Sequence, residues 1–141
     1  MKTLYTAIAT AVGGRTGHVS VEDGPIDMDL STPKSMGGKG GDGTNPEQLF
    51  GSAYAACFGG ALEAVAKEKK IKLEEVSVTA HISFNEGKKG GFLLSAVLDT
   101  YLPGVDQETG EDLINAAHKI CPFSKATRDN ITVELNLLMD E

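Results

Sequence analysis

Two cysteines, far apart in the sequence, are the residues of this chain whose types most directly offer chemistry. Cys57 lies in the apolar run 53–58, which has helical character, and Cys121 directly precedes Pro122. The chain has two cysteines in all, and they lack the Cys-x-x-Cys spacing of a local redox motif. Two thiols brought together by folding could form a redox couple, in which the thiolate is the reactive form.

Each cysteine also has a simpler explanation. Cys57 could be a small apolar residue buried in a core, since free cysteine often has that role. Cys121 could be an inert thiol in a loop. However, Pro122 is typical of the first turn of a helix, so Cys121 is expected near its cap and near the positive end of the helix dipole. Such a position lowers the pKa of a thiol.

A cation that could ionise a thiol lies in the glycine-bracketed turn 13–17. Arg15 in this turn is either a solvated loop charge or a fixed cation beside a thiolate, where it would also stabilise developing negative charge. Glu47 follows Asn45 and Pro46, which together are a helix-start signal. Glu47 either favours the helix dipole as a first-turn acid or orients Arg15 through a bidentate pair.

Helix geometry limits how these groups can meet. In one straight helix, Glu47 and Cys57 are about 15 Å apart along the axis, at 1.5 Å per residue. Arg15 must then bridge the gap, the helix must bend, or a second subunit must supply the acid. We hypothesise a site across a dimer interface, with Arg15 and Glu47 from the neighbouring chain.

The composition indicates one soluble domain over residues 1–141, of which 40% are hydrophobic and 23% charged. A net charge of −7 argues against a nucleic-acid partner, which requires a basic surface. No apolar stretch reaches the ~20 residues of a membrane span. The alternation in 3–12 favours a strand over an export signal, so we expect a reducing, cytoplasmic compartment that keeps thiols available.

The hydrophobic pattern predicts an α+β fold without an internal repeat. The predicted order is βββ-α-ββ-αα-β. Strands are expected at 3–12, 18–22, 26–30, 75–84, 91–101 and 131–137, and helices at 46–70, 106–120 and 123–129.

Metal and dinucleotide sites are not expected. The three histidines, His18, His81 and His118, are spread over different elements and lack the spacing of zinc ligands. The segment 38–43 matches G-x-G-x-x-G, but it does not follow a strand of a βαβ unit. We therefore expect no bound metal or cofactor.

Several segments together resemble the organic hydroperoxide resistance proteins (Ohr) of the OsmC/Ohr superfamily, over essentially the whole chain. The segments that carry the resemblance are Leu4-Tyr5-Thr6-Ala7, Gly14-Arg15-Thr16-Gly17-His18-Val19, Asn45-Pro46-Glu47-Gln48-Leu49-Phe50, Tyr54-Ala55-Ala56-Cys57-Phe58 and His118-Lys119-Ile120-Cys121-Pro122-Phe123-Ser124.

This resemblance implies an intertwined homodimer, with β-sheets wrapped around long central helices. It implies a thiol peroxidase for organic hydroperoxides, with Cys57 as the peroxidatic and Cys121 as the resolving cysteine. Arg15 and Glu47 match the pair that activates the first thiol. A dithiol, typically a lipoyl group on a lipoylated protein, would be the reductant.

An apolar cleft would suit such substrates, and its candidate residues are Phe50, Phe58, Leu62 and Phe123. The alternatives are an OsmC-type peroxidase with a broader peroxide preference, a thiol-based redox sensor, and a binding module for small lipophilic ligands with structural cysteines.

Overall fold

The computed structural model describes residues 1–140, which form six strands and three α-helices. The strands are β1 Ala9–Val12, β2 His18–Val21, β3 Asp27–Asp29, β4 Ser77–Glu86, β5 Phe92–Tyr101 and β6 Thr132–Leu138. The α-helices are α1 Pro46–Glu68, α2 Gln107–Ile120 and α3 Pro122–Thr127. Short 3-10 helices cover Gly14–Thr16 and Lys34–Met36. The chain divides into two compact units, Met1–Leu49 and the residues from Phe50 onward.

The first unit contains the antiparallel sheet β1-β2-β3. Its β1 and β3 residues are exposed, and Leu30 is its one buried apolar residue within the described chain. Leu30 forms an isolated bridge with Thr44, which places the end of the glycine-rich loop beside β3. The unit therefore has very little apolar core of its own.

The start of α1 follows the expected capping chemistry. The side chain of Asn45 accepts a hydrogen bond from the backbone N–H of Gln48 at 2.8 Å, and Pro46 occupies the first turn. Thr44 Oγ1 donates to the side-chain oxygen of Gln48 at 2.9 Å. These bonds fix the helix start at Pro46, so Glu47 is held in the first turn.

The second unit contains the sheet β4-β5-β6 and a continuous apolar core. β4 and β5 form an antiparallel hairpin, whereas β6 pairs with β5 in parallel. The core combines residues of α1, β5 and α2 with the buried Cys121, and its largest members include Tyr54, Phe58, Leu62, Leu98 and Leu113. Both cysteines lie in this unit.

The predicted element order and the α+β class are confirmed. The largest difference is β1, which begins at Ala9 rather than at residue 3. Its register starts with Ala9 opposite Val21, and one more backbone bond joins Glu22 to Ile8. The preceding residues have no strand partner within the described chain, so they are extended in pattern but not assigned to the sheet.

α1 is long and apolar enough to cross a bilayer, contrary to the expectation from the sequence. Its residues Tyr54, Phe58, Leu62 and Val65 nevertheless belong to the core of the second unit. A core helix satisfies the same criterion of length and composition, so this property does not assign α1 to a membrane.

Candidate active site

Arg15 is presented by a tight turn that requires glycine. Gly13 has φ +88°, a conformation that residues with a side chain rarely adopt. A Cβ atom at Gly17 would lie 1.7 Å from the carbonyl oxygen of Val12. The two glycines therefore let the chain close around the short 3-10 helix that carries Arg15.

Arg15 and Glu47 form a bidentate ion pair within one chain. The guanidinium donates from Nη1 to Oε1 at 2.8 Å and from Nη2 to Oε2 at 3.1 Å. The side chains are 38% and 14% exposed, so the carboxylate is the more protected partner. Hydrogen bonding to Glu47 raises the pKa of Arg15 above its ordinary value. The fixed cation expected from the sequence is thus oriented by the expected acid.

Cys121 lies at the junction of two helices, as its position before Pro122 predicted. It ends α2, donating its backbone N–H to the carbonyl of Ala117 at 2.8 Å. It also caps α3, where its carbonyl accepts from the N–H of Lys125 at 3.0 Å. The side chain is fully buried, so Cys121 is not a loop thiol.

The structure brings the two cysteines together. Cys121 Sγ lies 3.5 Å from Cys57 Sγ, although 64 residues separate them in sequence. Both are free thiols; Cys57 is half-buried on α1 and Cys121 is buried. Two sulfurs at this distance can be oxidised to a disulfide after a short approach, since the bonded distance is about 2.0 Å.

Within this unit, the surroundings of Cys57 favour its protonated form. Burial raises the pKa of the Cys57 thiol above its ordinary value, and the neighbouring sulfur of Cys121 adds to this effect. A hydrogen bond from the backbone N–H of Phe123 acts in the opposite direction but is outweighed. A reactive thiolate therefore needs a further positive charge beside the sulfur.

The four apolar candidates fall into two groups. Phe50 and Phe123 are half-buried, and their ring centroids lie 6.3 Å apart in an edge-to-face arrangement. Phe58 and Leu62 are fully buried in the core. Phe50 and Phe123 therefore have surface available to a ligand, whereas Phe58 and Leu62 lie behind the surface.

An open groove of about 560 Å³ also lies in the second unit. It contains neither cysteine nor any of the four apolar candidates. Its lining comes from α1, the start of β4 and the residue before β4: Ala55, Ala56, Gly59, Gly60, Glu63, Val76, Ser77 and Val78.

A buried chain of polar side chains, which the sequence did not predict, lies next to the cysteines. Tyr54 Oη lies 2.8 Å from Ser124 Oγ, which lies 2.8 Å from His118 Nδ1. The signal that could have indicated it is spacing. Tyr54 comes three residues before Cys57, and His118 and Ser124 come three residues before and after Cys121.

No cluster of three or more histidine, cysteine or acidic side chains able to hold a metal ion occurs in residues 1–140. The second unit thus offers the chemistry of two adjoining thiols, and the first unit, taken by itself, offers an oriented guanidinium.

The family of the chain follows from comparison with known proteins. The family described as OsmC-like protein matches residues 38–136. An organic hydroperoxide resistance protein of Xanthomonas axonopodis pv. citri is 50% identical over 137 residues, covering 96% of each chain. The organic hydroperoxide resistance protein OhrB of Bacillus subtilis is 46% identical over 135 residues, covering 95% of this chain and 98% of the relative.

Solved structures agree with this assignment. An organic hydroperoxide resistance protein from Legionella pneumophila superposes with a TM-score of 0.92 at 46% identity, covering 98% of this chain and all of that one. The structure of Bacillus subtilis OhrB gives a TM-score of 0.89 at 45% identity, covering 96% of this chain and all of that one. The chain therefore belongs to the OsmC-like proteins, and within them to the organic hydroperoxide resistance proteins, as its resemblance predicted.

Proposed function

We propose that this protein is a thiol peroxidase that reduces organic hydroperoxides to alcohols through a Cys57 sulfenic acid and a Cys57–Cys121 disulfide. The observation that carries the proposal is the 3.5 Å contact between the two free sulfurs. Family membership supports a role in organic hydroperoxide resistance. An intramolecular thiol pair supplies the two electrons that reduction of a hydroperoxide requires.

In the first step, the Cys57 thiolate attacks the distal oxygen of the hydroperoxide. The O–O bond breaks, the alkoxide leaves and takes up a proton, and Cys57 becomes a sulfenic acid. Arg15 stabilises the thiolate and the charge that passes to the leaving oxygen, while Glu47 orients Arg15. The raised pKa of Cys57 in its own surroundings is the reason that such a cation is required.

In the second step, the sulfur of Cys121 attacks that of Cys57. The S–O bond breaks, and the hydroxyl leaves as water with the proton of the Cys121 thiol. A dithiol such as a lipoyl group then attacks the disulfide through a mixed intermediate and restores both thiols. No bound cofactor is needed, because the reductant is a co-substrate.

Substrate preference would come from apolar contact. Phe50 and Phe123 are the candidates for direct contact with an alkyl or lipid chain, and Phe58 and Leu62 would form the wall behind them. Each buried methylene contributes about 0.8 kcal/mol, which favours a fatty hydroperoxide over hydrogen peroxide.

The protein would act as a homodimer in the cytoplasm. The dimer is supported by the first unit, in which Leu4 and Tyr5 are 87% and 81% exposed in the single chain. A second copy could cover these apolar side chains. Arg15 and Glu47 would then serve the cysteines of their own chain or those of the partner. A reducing compartment keeps both thiols available between turnovers.

The test is steady-state consumption of hydroperoxide with a dithiol reductant. We expect the wild-type protein to turn over cumene and fatty acid hydroperoxides faster than hydrogen peroxide, and Cys57→Ser to abolish turnover. Cys121→Ser should still allow the first oxidation, but recycling by dithiol should be strongly impaired. Normal turnover by Cys121→Ser would remove Cys121 from the resolving role.

Two outcomes would replace the proposal. Stoichiometric oxidation without turnover would indicate a redox sensor. No loss of thiols at all would indicate a module that binds lipophilic ligands, in which the cysteines are structural.

A further inference from the structure

A fully buried hydrogen bond connects the helix of one cysteine to the helix that follows the other. Tyr54 and Ser124 are both fully buried, and their hydroxyl oxygens are 2.8 Å apart. Tyr54 lies about one helical turn before Cys57, and Ser124 about one turn after Cys121. The Tyr54–Ser124 bond therefore joins the same two segments as the sulfur–sulfur contact, one turn away from it.

A second bond closes the corner between α2 and α3. Ser124 Oγ lies 2.8 Å from Nδ1 of the half-buried His118, which is one turn before Cys121 on α2. Cys121 is the residue at this corner, ending one helix and capping the next. Ser124 is thus the centre of a three-residue relay that links α1, α2 and α3 around Cys121.

The pKa of His118 fits its place at the end of this relay. Burial, with a contribution from the charge of Arg128, lowers the pKa of His118 below its ordinary value. The neutral imidazole can accept from the Ser124 hydroxyl at Nδ1, and Ser124 can in turn accept from the Tyr54 hydroxyl. Arg128 also donates to the backbone carbonyl of His118, which holds the end of α2 from the other side of the corner.

We propose that Tyr54, Ser124 and His118 are positioning residues for disulfide formation, which hold Cys121 where it can close on the Cys57 sulfenic acid. The proposal rests on the proposed function. In the step concerned, the S–S bond forms, the S–O bond of the sulfenic acid breaks, and water leaves with the Cys121 proton.

The relay matters because this step competes with overoxidation. A sulfenic acid that persists can react with a second hydroperoxide to give sulfinic acid, which the disulfide route avoids. The sulfurs must approach from 3.5 Å to about 2.0 Å, a movement of about 1.5 Å. The relay holds the corner between α2 and α3 to α1 about one turn from both sulfurs. The sulfurs can therefore make this short approach without sampling other arrangements.

The experiment measures the oxidation of Cys57 and the formation of the disulfide separately, in Tyr54→Phe and in Ser124→Ala. Fully reduced protein is mixed with cumene hydroperoxide, quenched with a thiol-alkylating reagent, and analysed by mass spectrometry over time. We expect consumption of the first equivalent of hydroperoxide at the wild-type rate. Disulfide formation should be about tenfold slower in Tyr54→Phe, and slower still in Ser124→Ala, which loses the bonds to both Tyr54 and His118. With excess hydroperoxide, Cys57 sulfinic acid should accumulate.

Thr100→Val is the matched control. Thr100 is fully buried in the same unit, and its hydroxyl has no hydrogen-bond partner within the described chain. Removing this hydroxyl should leave both steps unchanged. A slowed second step in Thr100→Val would mean that any change in the buried interior slows closure, and would overturn the specific role of the relay.

A conservative exchange and an equilibrium measurement provide the readouts that a merely structural role would not change. His118→Asn keeps an acceptor near the position of Nδ1, so this variant should form the disulfide faster than His118→Ala. The reduction potential of the cysteine pair, measured against a dithiothreitol buffer, should rise in Ser124→Ala. The rise is about 30 mV for a tenfold decrease in the equilibrium constant of disulfide formation.

Failure of the relay and failure of the proposed function give different results. If wild-type protein does not consume hydroperoxide, the proposed function fails, and the potential still reports on closure. If folded Tyr54→Phe and Ser124→Ala match wild type in both closure rate and potential, the relay has no positioning role. Should one of these variants fail to fold, the other and the two His118 variants decide the question by the same criteria.

Discussion

The two compact units differ in how they are stabilised and in which candidate residues they contain. The second unit buries its cysteine pair in a continuous apolar core, whereas the first contains an exposed sheet with Leu30 as its one buried apolar residue in the described chain. The first unit nevertheless provides the ordered cation. Burial within the unit is too small to account for its sheet, so we expect a second copy of the chain to stabilise it.

The two pairs of side chains also differ in electrostatic state. Glu47 favours the charged form of Arg15, while burial favours the uncharged form of Cys57. Neither unit alone explains the proposed peroxidase reaction, because we propose that the guanidinium of the first unit acts on a sulfur of the second.

The largest expected effect is on the core of the second unit. Phe58→Ala removes a fully buried aromatic side chain and should cost about 3–5 kcal/mol of unfolding free energy. Leu4→Ala, in the exposed N-terminal segment, should cost less, and its effect should depend on protein concentration because it weakens the proposed dimer.

Urea unfolding at several protein concentrations measures both effects. Equal losses for the two variants would contradict the difference between the units. Unfolding midpoints of wild type and Leu4→Ala that do not change with concentration would argue against a dimer stabilised by this segment.

The next effect in size concerns Arg15. Arg15→Ala should raise the pKa of the Cys57 thiol and slow its reaction with an organic hydroperoxide by about 10²-fold or more, as for removal of a preorganised charge-stabilising donor. Glu47→Gln should have a smaller effect in the same direction, because it leaves the cation in place and removes one charged partner.

The measurements are the pH dependence of thiol alkylation at Cys57 and the rate of the first oxidation. Arg15→Lys is the matched control, since it keeps the charge but cannot form the bidentate pair. Arg15→Ala with an unchanged thiol titration and an unchanged rate would remove Arg15 from the mechanism.

The smallest expected effect concerns two histidines, whose pKa values are shifted in opposite directions. In the first unit, the ring nitrogens of the exposed His18 donate hydrogen bonds to the carboxylates of Asp27 and Asp29, which raises the pKa of His18. Its contribution to stability is therefore present below the unfolded pKa of about 6.5 and is lost as the pH rises through the raised value. In the second unit, burial and Arg128 lower the pKa of His118. The contribution of His118 to stability is therefore present above the unfolded pKa of about 6.5 and is lost as the pH falls through the lowered value.

NMR titration of the two imidazoles, with His18→Asn and His118→Asn for assignment, tests this difference. The free energy of unfolding in urea should be measured between about pH 5 and pH 8. His18 and His118 should contribute pH slopes of opposite sign, and each substitution should remove the slope of its own histidine. Two histidines that titrate together near their ordinary pKa would contradict the comparison.

Much of the fold could be predicted because its signals are local. Asn45 and Pro46 predicted the start of α1, and Pro122 predicted a new helix immediately after Cys121; both are confirmed by the observed caps. The length of β1 could not be predicted. Alternating apolar residues indicate an extended segment, but a strand also needs a neighbour, and β2 provides one only from Ala9 to Val12.

The candidate site could likewise be predicted only in part. The Arg15–Glu47 pair was predicted as one of two roles for Glu47, and a thiol couple as one of two explanations for the cysteines; both contacts are present. The Tyr54–Ser124–His118 relay was not predicted. Each of its bonds joins residues on different helices, and only packing decides that three separately ordinary side chains meet beside Cys121.

Peptide mapping of wild-type protein after one equivalent of cumene hydroperoxide, without any reductant, tests the pairing of Cys57 with Cys121 most directly. We expect the peptide containing Cys57 to be joined to the peptide containing Cys121 by a disulfide, and one equivalent of cumyl alcohol to be released. Recovery of both cysteines as free thiols, with the hydroperoxide intact, would contradict it.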